Sequence, residues 1–319
     1  MKKGWEIFDF LLAPVSFGGT EAGAETGPEV LSSYLGIDSK NTWISDCYHR
    51  NLYKNNSQDL IEAYSGFIES CAQKIEESLK NKRIPVVFGG DHSLSLGTLT
   101  GLMRFIEASG HPDVGIIWID AHTDIHTPSS STSGNVHGMP LGAAYRKNAG
   151  FLDTLRGENL KKFPINGLCY IGVRDIDPAE QLVLKEFGIW TRSPSEIKEF
   201  GAQKVAQDAV QYLKSQGFST AHISFDIDVI DPSFASATAT PVSGGVSFQD
   251  AKLIVKTLLS QITPIILEIV ELNPPRDSDN ISLGLMGEIT SLALDCCVKK
   301  LTDVPVVQNP IILENLKTY

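Results

Sequence analysis

The chain has 319 residues, 42% of them hydrophobic and 20% charged, ordinary values for a globular protein that exclude a disordered or fibrous chain. Its formal net charge of −11 argues against nucleic acid, because a phosphate backbone attracts clustered Lys and Arg, and it suits a cationic small molecule. Cys47, Cys71, Cys169, Cys296 and Cys297 are odd in number, scattered and without CxxC spacing. Reduced thiols in a cytoplasmic protein are therefore expected, rather than a disulfide framework or a zinc cage.

Along the chain, Met1 to Lys3 precede an apolar stretch that Glu6 and Asp9 interrupt, which reads as a first buried strand, Phe10 to Val15, and not as a signal peptide. Ile61, Tyr64, Ile68, Cys71, Ile75 and Leu79 recur at three-and-four spacing and predict an amphipathic helix over Leu60 to Asn81. Strand Ile84 to Phe88 runs into Gly89-Gly-Asp-His, and strand Val114 to Ile119 runs into Asp120-Ala-His-Thr-Asp. Residues Thr127 to Gly138 form the longest polar stretch without apolar periodicity, a loop at a strand's carboxyl end. A strand at Leu168 to Val173 comes next, followed by helical spacing in Val205, Ala209 and Leu213. Strand Ala221 to Phe225 leads to Asp226 and Asp228, helical spacing returns in Ala251, Ile254, Leu258 and Ile262, and a last strand covers Ile265 to Ile269. Short Val/Ile-rich runs alternating with helices predict an α/β fold, a mostly parallel sheet flanked by helices on both faces. With no linker or repeat in the sequence, one three-layer domain over residues 1–319 is expected. No apolar run approaches the length that crosses a bilayer, so no membrane partner is expected.

Residues at i and i+2 of an extended chain point the same way, so Asp120, His122 and Asp124 leave their strand together, as do Asp226 and Asp228. Four acids on one sheet edge would repel unless cations neutralised them. His92 and His122 turn the set into a mixed oxygen and nitrogen site, which suits Mn²⁺ or a similar first-row ion better than Ca²⁺. Two such ions acidify a shared water and hold it beside an electrophilic carbon, so hydrolysis is the expected chemistry.

These residues resemble the arginase and agmatinase family of manganese ureohydrolases. The resemblance runs from Ala13-Pro-Val-Ser and Gly27-Pro-Glu through Gly89-Gly-Asp-His-Ser, Asp120-Ala-His-Thr-Asp and Ser224-Phe-Asp-Ile-Asp to Glu271-Leu-Asn-Pro. It implies two Mn²⁺ per chain, one held by His92, Asp120, Asp124 and Asp226 and the other by His122, Asp120, Asp226 and Asp228. It implies attack of a metal-bridging hydroxide on a guanidinium carbon, with Asp124 passing a proton to the leaving amine, Glu271 gripping the guanidinium and His137 exchanging protons with solvent. The loop Ser131-Thr-Ser-Gly-Asn-Val-His-Gly is similar to the arginase version, implying that Ser133 and Asn135 receive an α-carboxylate. Likewise Asp177 and Glu180 would hold the α-ammonium, and Thr240 would lie near the guanidinium. L-arginine, hydrolysed to L-ornithine and urea, is the implied substrate. Agmatine or another guanidino compound is the nearest alternative, and a non-catalytic binding homologue is a more distant one. The family also implies a homo-oligomer, a trimer or hexamer, although Val306-Val-Gln-Asn-Pro-Ile-Ile-Leu does not match the tail that ties animal arginases into trimers. One position departs from the family's arginases, which usually carry Asn, a residue that helps bind the substrate carboxylate, where this chain has His126.

Overall fold

The computed structural model describes residues 4–37, 48–49 and 58–303. Its main sheet has seven strands: β1 (Phe8–Ala13), β4 (Ile84–Gly89), β5 (Gly115–Ile119), β6 (Leu168–Ile171), β7 (Trp190–Arg192), β8 (Thr220–Asp226) and β9 (Thr263–Val270). All pair in parallel, in the order β1-β4-β9-β8-β5-β6-β7. A two-stranded parallel ladder joins β2 (Val15–Ser16) to β3 (Tyr48–His49). The expected first strand, Phe10 to Val15, is thus split between two sheets. Pro14 stands at the break, where a residue without an N–H cannot continue the ladder. Strand β7 is absent from the sequence reading because it is a three-residue edge strand whose residues are only partly buried and show no alternation.

The connections are α1 (Gly27–Tyr34), α2 (Gln58–Lys80), α3 (Ser95–Ser109), α4 (Pro140–Tyr145), α5 (Phe151–Arg156), α6 (Pro178–Phe187), α7 (Pro194–Phe200), α8 (Ala202–Ser215), α9 (Phe248–Gln261) and α10 (Ile281–Asp303). Alternate strand residues feed opposite faces, as the period of two requires. Val86, Phe88, Ile117, Ile119 and Phe225 pack beneath α8, α9 and α10, while Val87, Ile116 and Trp118 pack beneath α2 and α3. Helices therefore cover both faces of the sheet, as the sequence predicts. Each fully buried Phe, Ile or Leu contributes on the order of 1.5–3 kcal/mol, which holds the strand ends in register beneath the site.

Residues Ile281–Thr302 of α10 are long and apolar enough, by length and composition, to cross a membrane, contrary to the sequence expectation. They pack against α1, α9 and β9, with Met286, Ile289, Leu294 and Cys297 fully buried, as in a core helix. Cys71, Cys169, Cys296 and Cys297 are free thiols. Cys47 and the Val306-to-Leu313 segment lie outside the described residues.

Candidate active site

Four adjacent strands, β4, β9, β8 and β5, end on one edge of the sheet, and each delivers a polar group there. β4 leads through Gly89 and Gly90 to His92, β5 to Asp120, β8 ends at Asp226, and Glu271 follows β9. The carboxyl edge of an open parallel sheet is where such folds bind ligands. Gly90 is required locally, because a side chain there would overlap the carbonyl oxygen of Val15.

Three aspartates divide their oxygens in the same way. Asp120 Oδ1 accepts the His122 N–H at 2.6 Å, Asp226 Oδ1 the Asp228 N–H at 2.8 Å and Asp228 Oδ1 the Ala121 N–H at 3.0 Å. The second oxygen of each points into the cluster. Around His92 Nδ1 lie Asp120 Oδ2 at 3.0 Å, Asp124 Oδ2 at 3.1 Å and Asp226 Oδ2 at 3.2 Å. Around His122 Nδ1 lie Asp228 Oδ2 at 3.0 Å and Asp120 Oδ1 at 3.5 Å. Asp120 therefore lies in both groups, whereas Asp226 lies in the first.

His92 Nδ1, Asp120 Oδ2 and Asp228 Oδ2 are buried without a hydrogen bond, an arrangement that a cation among them would complete. Donor atoms about 3 Å apart fit ligands about 2.0–2.2 Å from a common centre, and the nitrogen and oxygen set lacks the thiolates of structural zinc sites. His92 Nε2 lies 2.8 Å from Ser224 Oγ, which fixes the ring with Nδ1 facing the acids, and the ring stacks on Trp118 with centroids 4.1 Å apart. Burial, and then the charge of Asp120, push the Asp124 carboxyl up to about 6. Burial raises Asp226 and Asp228 too, with neighbouring carboxylates adding to the shift. Asp120 goes the other way, because His122 and His92 outweigh its burial. Both imidazoles are raised well above their usual range, the surrounding carboxylates outweighing burial. Cations bound here would compete with protons for these groups.

Asp124 and Glu271 adopt φ of 50° and 64°, a left-handed conformation uncommon for residues other than glycine. Strain of this kind costs on the order of 1–3 kcal/mol and concentrates at functional sites. Glu271 Oε1 accepts the His92 N–H at 2.8 Å and lies 3.2 Å from His137 Nδ1, while buried Oε2 is unpartnered. The hydrogen bond and charge of His137 outweigh burial and hold the Glu271 carboxyl below its usual range, and Glu271 in return raises His137.

The metal-side groups open onto a cleft of about 250 Å³. The same cleft is lined by His126, Ser133, Asn135, Asp177, Glu180 and Thr240, the residues expected from the sequence to face a substrate. Asp120 lies beneath the floor. Asp177 and Glu180 also have a structural duty, since they form the capping box of α6. Five contributors have no sequence assignment. Ser224 orients His92, and Asp91 holds the Gly18 and Gly19 N–H groups at 2.7 and 2.9 Å. Arg174 donates to the carbonyls of Asp228 at 2.7 Å and Val242 at 2.6 Å, pinning the turn that carries Asp228. Thr20 and Asp175 line the cleft, and Asp175 Oδ2 lies 3.7 Å from His122 Nε2.

Residues 8–295 match the profile of the arginase family. Human arginase-1 is 40% identical over 208 residues, 65% of this chain and 63% of that protein, so this alignment spans less than two thirds of the relative's length. Arginase-1 of Oryctolagus cuniculus is 34% identical over 273 residues, covering 82% of this chain and 83% of the relative. Among solved structures, Entamoeba histolytica arginase in complex with L-ornithine superposes with a TM-score of 0.78 at 25% identity, over 90% of this chain and 98% of that one. With the family profile spanning nearly all of the described residues and the His/Asp edge placed where the fold binds ligands, the chain belongs to the arginase family of hydrolases.

Proposed function

We propose that the protein is an arginase that hydrolyses L-arginine to L-ornithine and urea with two Mn²⁺ ions, one held by His92, Asp120, Asp124 and Asp226 and the other by His122, Asp120, Asp226 and Asp228. Two such ions supply a water acidified into the neutral range, the nucleophile that an inert guanidinium carbon requires. The observation that carries the reading is one cleft lined both by His92, His122, Asp124, Asp226 and Asp228 and by groups complementary to an amino acid. Carboxylates at Asp177 and Glu180 suit an ammonium, and hydroxyl and amide groups at Ser133 and Asn135 suit a carboxylate. That a relative of the same fold was solved with L-ornithine, the expected product, supports an amino-acid ligand.

The chain's own residues divide the work. Glu271 Oε2, buried and unpartnered, accepts from the guanidinium and orients its carbon over the acid cluster. Asp124, whose carboxyl is raised by burial and by the charge of Asp120, would carry a proton to the departing amine. Partly exposed His137, bonded to Glu271 at Nδ1, exchanges protons between the cleft and solvent. Thr240, which lines the cleft, would lie near the guanidinium. The test is urea release by Mn²⁺-loaded protein from arginine, agmatine and guanidino acids. Arginine is expected to be the preferred substrate and Asp124→Asn to abolish release. Preference for agmatine would remove the arginase assignment, and no urea from any compound would remove the hydrolase reading.

A further inference from the structure

We infer that His126 sets how strongly the enzyme depends on its substrate's α-ammonium group, because it stands on the carboxylate that would receive that group. The inference rests on the reading of the cleft as an amino-acid site. Asp177 spends Oδ1 on the first turn of α6, accepting the Ala179 N–H at 2.8 Å and the Glu180 N–H at 2.9 Å. Only Oδ2 is left for the cleft, and His126 Nε2 lies 3.0 Å from it. The neighbouring Glu180 is equally committed. Its Oε2 accepts the Asp177 N–H at 3.0 Å, and its Oε1 accepts the Thr123 hydroxyl at 2.5 Å while lying 3.6 Å from the same His126 nitrogen.

The other side of the imidazole is tied down. Nδ1 lies 3.1 Å from Ser130 Oγ, which itself accepts the Thr127 N–H at 2.9 Å, and the His126 backbone N–H donates to Gly138 O at 3.1 Å. A carboxylate oxygen only accepts, so this contact places a proton on Nε2, and the Ser130 hydroxyl can turn its single hydrogen to Nδ1 or to the Thr127 carbonyl at 3.3 Å. An ammonium entering this corner must share Asp177 Oδ2 with a donor already in place. Adding the α-amino group to a guanidino acid therefore gains less binding here than at an uncapped carboxylate. A shorter side chain at position 126 frees Oδ2 without touching a metal ligand.

The test compares L-arginine with 5-guanidinopentanoate, its analogue lacking the α-amino group, in wild type, His126→Asn and His126→Ala. Freeing one charge-assisted hydrogen bond is expected to raise the ratio of kcat/KM values, arginine over analogue, by roughly tenfold in both variants. Asp177→Ser keeps the helix cap and removes Oδ2. In that background the ratio falls, and His126→Asn no longer changes it. A variant that merely loosens the loop lowers both substrates alike, so an unchanged or reduced ratio in the single variants overturns the inference. Calorimetric affinities for L-ornithine and 5-aminopentanoate give the same comparison without turnover. A rise in that ligand ratio in protein that releases no urea supports the inference while overturning the hydrolytic reading, and an unchanged ligand ratio overturns the inference whatever the turnover.

Discussion

Glu268 lies near the middle of the sheet with no exposed surface, three residues before Glu271, and replacing it by Gln should change the protein's acid stability in a calculable way. Its Oε2 accepts the Ser95 hydroxyl at 2.7 Å and lies 3.2 Å from buried His222 Nε2, while Oε1 accepts from the Thr98 hydroxyl. Those hydroxyls sit in the first turn of α3, just after His92, so the carboxylate ties the helix behind the candidate metal centre to β9. Burial alone would raise this acid, but the His222 charge and hydrogen bond outweigh it and bring the value from 4.5 down to about 2. An acid lowered by folding contributes stability that is complete above its unfolded value and is lost as pH falls through the folded one. At ~1.4 kcal/mol per pH unit the whole contribution is roughly 3 kcal/mol, of which ~2 kcal/mol disappears between about pH 5 and pH 3. Urea denaturation of wild type and Glu268→Gln across that range, with a chelator present, reads the effect. The other acids cancel in the difference. Wild type should lose ~2 kcal/mol more than the variant on acidification, whereas parallel pH dependences would refute the argument.

Asp120→Asn should lose both metal ions and Asp228→Asn mainly the one at His122, as counted by elemental analysis after Mn²⁺ loading and gel filtration; equal counts in the two variants would contradict the shared position of Asp120. Gly142→Ala places a methyl on the His126 carbonyl oxygen and should depress both thermal stability and arginine turnover, since backbone must move where a side-chain tip could not. Asp277 accepts the Ser282 and Leu283 N–H groups at 3.0 and 2.7 Å, so Asp277→Ala should cost about 1 kcal/mol of stability by loss of the α10 cap. A change below a few tenths of a kcal/mol would show that solvent replaces the cap.

Much of the site was readable because metal chemistry imposes local spacing. Asp120, His122 and Asp124, and the pair Asp226 and Asp228, follow strand ends, so period-two geometry exposes them in one dimension. Strand order left no comparable trace, and nothing in the sequence placed β9 between β4 and β8, the pairing that sets Glu271 beside His92. Glu268 did leave a signal in the form of a lone acid inside the apolar run Ile265 to Ile269, an expense that a strand tolerates only with buried partners. Ser224 lies inside a recognised motif, but its partner is an imidazole brought close only by folding, as are the carbonyls that Arg174 meets. His126 was legible as a departure, whereas its bond to Asp177, 51 positions away, was not.

We propose that this sheet edge delivers water to the guanidinium carbon of arginine. Turnover of L-arginine by Mn²⁺-loaded protein in oxygen-18-labelled water, followed by mass spectrometry, tests it most directly. One labelled oxygen in each urea, with an equal amount of unlabelled ornithine, is the predicted result. Absence of urea, or urea formed without the label, would contradict the account.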